Sequence, residues 1–310
     1  MKRLIVTADD FGLAPEVNQA VELACREGVL SAASLMVGGP AAADAVDRAR
    51  RLPRLAVGLH LCLVDAAPVL APSQIPRLVD GRGRLRSDMT RLAFELAFHA
   101  SARKQMRAEI EAQFAAFEAT GLPLDHVNAH RHFHVHPLVS DMVLEIGARR
   151  GMKAIRIPYE PAALIGAAET CVRREARPLE TAFALRLRQR ARAAGLDFTQ
   201  GALGLRWSGG FTKRRWLGVL AALPEGAWEL FCHPATSSTF AGAAPGYGYE
   251  EELAALVDPD VRRALTASGA LVGGFTQCPA GQAASAENPA RFVLTSGTEA
   301  GGRGLSGDSL

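Results

Sequence analysis

The 310-residue chain has no Cys-x-x-Cys pair, only three tryptophans and three tyrosines, and no strong excess of either charge. Its five cysteines, Cys25, Cys62, Cys171, Cys232 and Cys278, are odd in number and far apart. That spacing argues against a disulfide framework or a zinc ribbon and fits a reducing compartment. Lys plus Arg number 35 against 32 Asp plus Glu, a net charge of +3, whereas a dedicated nucleic-acid binder carries a marked basic excess. No apolar run suits a membrane span, since the uncharged stretch from Thr266 to Ala286 is filled with Gly, Ala, Ser and Gln. The first apolar run stops at Asp9 and Asp10, too soon for a signal peptide, so the cytoplasm is the expected setting. Internal repeats are also absent.

What is present is alternation. Leu4 to Thr7, Ala33 to Val37, Leu55 to Leu61, Leu124 to Asn128, Ala154 to Ile157, Ala227 to Cys232 and Ala270 to Phe275 read as short buried strands. Between them, helices are expected from Pro15 to a stop at Gly28, and over Ala41 to Arg51 and Leu138 to Arg150. Longer ones are expected over Thr90 to Thr120, with a break near Ser101, and Tyr249 to Ala267. Val64 to Asp88 reads as a long loop. Repeated strand-then-helix units predict an α/β fold with a parallel sheet, and about seven of them suit a distorted (β/α) barrel. Residues 1–279 form the expected domain, and 280–310, rich in Gly, Ala and Ser, the expected disordered tail. In such a barrel functional residues gather just after the strands.

Several side chains satisfy that placement. Asp9 and Asp10 end the first strand in TADDFG, where a metal bound by one would leave the other to act as a base; a helix cap or turn is the alternative. His60 ends GLHL, although a lone histidine there is ordinarily a core residue. Five of the eight histidines, His126, His130, His132, His134 and His136, fall within eleven residues. On an extended strand the alternate ones share a face, yet a metal site takes only two or three imidazoles beside a carboxylate. A solvated His-rich loop is the other reading. His130, just past the strand end, is the best ligand candidate. His132 and His134 could orient ligands or touch substrate, and His126 and His136 read as structural. His233 in CHP is placed to act as a general acid or to bond within a turn. Arg156 in IRIP needs a buried carboxylate partner, catalytic or structural.

TADDFG, GLHL, the HxHxH segment ending at Pro137 and the late CHP together resemble the YdjC-like carbohydrate deacetylases, from Met1 to about Cys278. The resemblance implies a distorted (β/α) barrel and metal-dependent removal of acetyl from an N-acetyl sugar. It also implies Asp10, His60 and His130 as metal ligands, Asp9 as general base and His233 as general acid. Where many members have an Asp-Ser pair before the first clustered histidine, this chain has Asn128 and Ala129. Asn128 can accept a hydrogen bond but brings no negative charge to orient a ligand. Within the family, HVNAHRHFHVHP is most similar to the hopanoid-biosynthesis-associated deacetylases, which implies a glycosylated hopanoid as substrate; a chito-oligosaccharide is the alternative. One divalent cation is expected. Asp plus two His suits Zn²⁺, Fe²⁺ or Mn²⁺, and the resemblance adds Mg²⁺.

Seven arginines lie between Arg173 and Arg192, followed by Trp207, Phe211, Lys213, Arg214, Arg215 and Trp216. Arg with Trp suits an anionic membrane interface, so Arg173 to Trp216 is the expected site of any peripheral contact with the inner membrane. A solvated helix face is the competing reading. A homodimer is the default for a soluble oligomer. Two other functions compete: another metal hydrolase, such as an amidohydrolase or phosphoesterase, and a non-catalytic sugar-binding barrel. Amidohydrolases place HxH on the first strand, whereas here the Asp pair comes first.

Overall fold

The computed structural model describes residues 1–169 and 178–277. Cys171, Arg173, Arg174, Arg177, Cys278 and the expected 280–310 tail lie outside the described residues, as does the expected boundary at 279.

Its centre is β1 (Lys2–Phe11), whose β-branched Ile5, Val6 and Thr7 suit a pleat packed on both faces. It is buried from Leu4 onward. Beside it in the parallel sheet stand β2 (Ala32–Leu35), β3 (Ala56–Leu61) and β4 (Val127–Ala129) on one side. On the other stand β6 (Gly226–Cys232) and β5 (Gly201–Leu203). The order is β4-β3-β2-β1-β6-β5, with β7 (Leu271–Val272) pairing to the start of β1 through Arg3 and Leu4. Single bridges carry the pairing on from Val127 to Ile155 and from Ala154 to Asp197, so the sheet curls around. The α/β class and the curled seven-stranded sheet are as expected. The strand expected at Ala154 to Ile157 is reduced to those bridges, and that at Ala270 to Phe275 to two residues.

Helices pack outside. α1 (Pro15–Glu27) starts on Pro15, whose fixed φ and missing N–H suit a first turn. α2 (Ala42–Arg50) follows β2. The long helix breaks at His99 into α3 (Met89–Phe98) and α4 (Ala100–Ala119). After α5 (Pro137–Arg149) come α6 (Ala162–Ala168), α7 (Pro178–Ala193) and α8 (Lys213–Ala222); α6 and α8 have no counterpart among the expected elements, whereas α7 matches the helix face that is the competing reading of the Arg-rich stretch. The expected helix from Tyr249 to Ala267 is two, α9 (Tyr249–Val257) and α10 (Pro259–Ala267). Pro259 drives Asp258 out of helical geometry, and the Asp258 carboxylate caps the N–H groups of Asp260 and Val261.

The end of the sheet away from the site is closed by a small apolar cluster of Ile5, Ala32, Ala154 and Phe275. Above Phe275, Asp125 accepts hydrogen bonds from the backbone of Phe275 and Thr276 and from the Thr276 hydroxyl. His126 is fully buried there, hydrogen-bonded to Asp125 and stacked on Phe275 at 4.5 Å. Its ring fits because residue 58 is glycine: a Cβ on Gly58 would lie 2.5 Å from the imidazole. His126 is structural, as expected.

Candidate active site

A cleft of about 1150 Å³ opens at the carboxyl ends of the strands, lined by Asp9, Asp10, His60, His130, His132 and His233 among others. Neighbouring residues of a strand point to opposite faces, yet Asp9 and Asp10 both reach the site. The backbone resolves this conflict. Asp10 adopts φ 62°, and the β1–β2 register shifts between Ala8 and Phe11, so the second carboxylate swings around. Asp is among the few residues that enter the left-handed region readily.

Asp10, His60 and His130 each offer a ligand atom, and these lie within 4.8 Å of one another. Asp10 Oδ1 is 3.1 Å from His60 Nε2 and 3.0 Å from His130 Nδ1. The tautomer of His60 follows from its other nitrogen, which donates to Asn128 Oδ1 at 2.8 Å. Nε2 then presents a lone pair to a carboxylate oxygen: two acceptors face each other from buried positions, an arrangement that a cation between them would satisfy. Burial works against ionisation of Asp10, but the charge of His130 and its hydrogen bond outweigh it and hold the carboxyl well below its usual range. With one carboxylate and two imidazoles, these residues fit a divalent cation with open positions. Two imidazoles in the donor set suit Zn²⁺, Fe²⁺ or Mn²⁺ better than Mg²⁺.

Asp9 sits behind this trio. Its Oδ1 accepts from Ser34 Oγ at 2.6 Å, Asn128 Nδ2 at 2.9 Å and Arg156 Nη2 at 3.0 Å, while Oδ2 accepts from Arg156 Nη1 at 2.5 Å. Burial would raise this carboxyl; the Arg156 guanidinium beside it keeps it ionised far below the ordinary carboxylate range. Arg156 in turn bonds Glu229 at 2.6 Å, lies over the Phe231 ring at 4.3 Å, and is fully buried. Thr7 Oγ1 also donates to Glu229. One guanidinium thus pairs with both Asp9, which lines the cleft, and Glu229, so the buried carboxylate partner expected for Arg156 is present twice over.

The clustered histidines do not share one face of a strand. After β4 the chain enters a tight turn over His130–Val135, with Arg131 at φ 51° and His132 at φ 55°. This inversion sends the side chains to different places. His132 lines the cleft edge-on to Phe231, and burial, with Arg156 nearby, pushes its pKa well down. His134 turns inward, and its Nε2 donates to the Arg156 carbonyl at 2.9 Å. Burial brings it to about 4, so it is neutral near pH 7. His136 stacks on Phe133. His233 follows β6 across the cleft and meets the Tyr247 ring edge-on at 5.3 Å.

Ser34, Glu229, Glu252 and Tyr247 were not among the sequence candidates. The strand-end rule could have found Ser34, and an acid inside the apolar run WELFC could have flagged Glu229. The Arg-rich region also differs from expectation. Trp207, Phe211 and Trp216 are buried in the core, so these aromatic rings cannot anchor a bilayer contact. Arg186 and Arg190 pair with Asp141, Arg215 pairs with Glu169, and Lys213 with Asp258. No helix among the described residues is long and apolar enough to cross a membrane.

A family model described as "YdjC-like protein" matches residues 3–267. The chain is 32% identical over 297 residues to a carbohydrate deacetylase of Mus musculus, covering 86% of this chain and 92% of that one. It is 29% identical over 279 residues to a chitooligosaccharide deacetylase of Enterobacter sp., covering 88% and 98%. A carbohydrate deacetylase of Brevibacillus brevis is 37% identical over 157 residues, 51% of this chain and 60% of that relative. In fold, the chain resembles a solved Enterococcus faecalis protein named for cellobiose-phosphate cleavage, with a TM-score of 0.69 at 24% identity over 90% of this chain and 99% of that one.

Proposed function

The chain belongs to the YdjC-like family, and from that premise we propose that it is a metal-dependent carbohydrate deacetylase removing acetyl from an N-acetylglucosamine-containing substrate. The observation that carries this reading is the convergence of Asp10, His60 and His130 on one point, with the ionised Asp9 behind them and His233 across the cleft. Asp10, His60 and His130 hold the divalent cation. When bound, the cation supplies Lewis acidity toward the acetyl carbonyl and lowers the pKa of a water.

The remaining chemistry belongs to the side chains. Asp9 takes a proton from the attacking water, and only Oδ2 has room for it, because Oδ1 already accepts three hydrogen bonds. Arg156 keeps Asp9 ionised and aimed. Asn128 holds the His60 tautomer, and His134 holds the backbone of Arg156. His233 protonates the departing amine, without which C–N cleavage stalls. His132 borders the acetyl-binding space.

A hopanoid carrying N-acetylglucosamine is the proposed substrate, since Met89, Ala93, Leu179 and Phe183 give the cleft an apolar side suited to a hydrocarbon aglycone. A chito-oligosaccharide is the second reading, favoured by the likeness to the Enterobacter enzyme. Acetate release from both substrates, measured with and without added divalent cation, tests the assignment. Metal binding without acetate release from either would leave a non-catalytic sugar-binding barrel as the better account.

A further inference from the structure

Glu252, in the first turns of α9, is fully buried. Its Oε1 accepts from the Phe211 N–H at 2.8 Å and its Oε2 from the His233 N–H at 2.5 Å. Desolvating a carboxylate is costly, and hydrogen bonds from backbone amides offset that cost. Here they come from two places far apart in the chain, the end of β6 and the loop between β5 and α8. One side chain therefore fastens both to α9.

The position of His233 depends on that fastening. Among the described residues no group hydrogen-bonds its Nδ1, so no carboxylate orients the imidazole through its second nitrogen. Its backbone is held by Glu252, and its ring rests against Tyr247. Tyr247 is placed by the same loop. Gly248 donates to the Gly209 carbonyl at 2.7 Å, and a Cβ on Gly209 would lie 2.2 Å from the Tyr247 ring. Gly209 also has φ 72°, so glycine is required there on two counts.

We propose that Glu252 is a positioning residue that sets where His233 can deliver its proton, by locking the end of β6 and the loop behind Tyr247 to α9. The inference rests on His233 being the general acid. Glu252 does not touch substrate; it acts through His233.

The test uses leaving groups. An N-acetyl amide needs a proton on its nitrogen to depart, whereas an aryl acetate such as 4-nitrophenyl acetate leaves without one. Metal-loaded wild type, Glu252→Gln, Glu252→Asp and His233→Ala are compared on an N-acetylglucosamine oligomer and on 4-nitrophenyl acetate. Glu252→Gln replaces an acceptor oxygen with an amide donor that faces a backbone N–H. Its kcat on the amide is expected to fall on the order of tenfold to a hundredfold, a part of the roughly 10²- to 10⁴-fold that a general acid supplies. KM, metal content and turnover of the aryl ester should stay near wild type. Glu252→Asp, which keeps the charge, should fall less, and it carries the same comparison should Glu252→Gln fail to fold. Equal losses on amide and ester in the Glu252 variants, with His233→Ala selective for the amide, would overturn the inference. Equal losses in His233→Ala would instead remove the acid role on which it rests.

Discussion

Arg156 holds both carboxylate oxygens of Asp9, with Nη1 on Oδ2 at 2.5 Å and Nη2 on Oδ1 at 3.0 Å, and neither residue is more than 1% exposed. The same guanidinium faces Glu229, so one buried cation stands between two buried anions. Removing one member of such a set leaves charge without compensation, which costs about 3–5 kcal/mol. Arg156→Met is therefore expected to lower unfolding free energy by roughly that much, read from denaturant titrations. Arg156→Lys should fold but lose turnover, because a single ammonium cannot reproduce the fork on both carboxylates. A Met variant within about 1 kcal/mol of wild type would show that Glu229 and Asp9 find other partners.

Separating base from ligand is a second expectation. Asp9→Asn keeps Asp10, His60 and His130 intact, so it should retain metal while acetate release falls by about 10²-fold or more. His130→Ala should lose both. Elemental analysis of the purified variants beside an acetate assay distinguishes them, and full turnover in Asp9→Asn would reassign the base.

Asn128 makes a third case. Its carbonyl oxygen fixes the His60 tautomer, and its amide donates to Asp9 Oδ1 and Ser34 Oγ. Asn128→Ala should weaken metal affinity about 10- to 100-fold, the range seen when a ligand loses its orienting partner. Titration calorimetry with Zn²⁺ reads this directly; unchanged affinity would mean that Ser34, whose Oγ lies 3.0 Å from His60 Nδ1, alone orients His60.

Acid sensitivity is expected at the opposite end of the sheet. Burial would raise the Asp125 carboxyl, but hydrogen bonds from His126 and Thr276 bring it down to about 2. A group whose folded pKa lies below its unfolded one stabilises the fold above the unfolded value, near pH 4, and loses that contribution as pH falls toward 2. The shift corresponds to roughly 2 kcal/mol. Asp125→Asn should therefore be less stable than wild type at pH 6, and the gap should narrow by pH 2. A constant gap across that range would assign the effect to packing.

Much of the site could be read in the sequence because parallel sheets place function at strand ends: Asp9, Asp10, His60, His130 and His233 each close a recognisable apolar run. The histidine cluster misled as to geometry. Its alternation looks extended, but two consecutive left-handed residues, Arg131 and His132, depend on local packing that no periodicity reveals. Glu229 and Glu252 were hidden for another reason. A single acid in an apolar strand or a first helical turn has many ordinary explanations, and only the fold brings Arg156 to one and the His233 amide to the other. Helices α6 to α8 are hard to read from sequence because charge dominates the segment and their buried positions are few and small, Ala184, Leu187 and Ala191 in α7, with Trp216 in α8.

The inverted backbone at Asp10 has a consequence for anyone transplanting this chemistry. Two adjacent acids are not a portable motif, because on a regular strand they would serve opposite sides of the sheet. What must be moved is the kink together with its register shift, and with it the restriction to residues that tolerate φ near 60°. A β-branched side chain at position 10 would remove the second carboxylate and disfavour the inversion together, and an aspartate set there on a straight strand would face away from Asp9, even in a scaffold that supplied every other group.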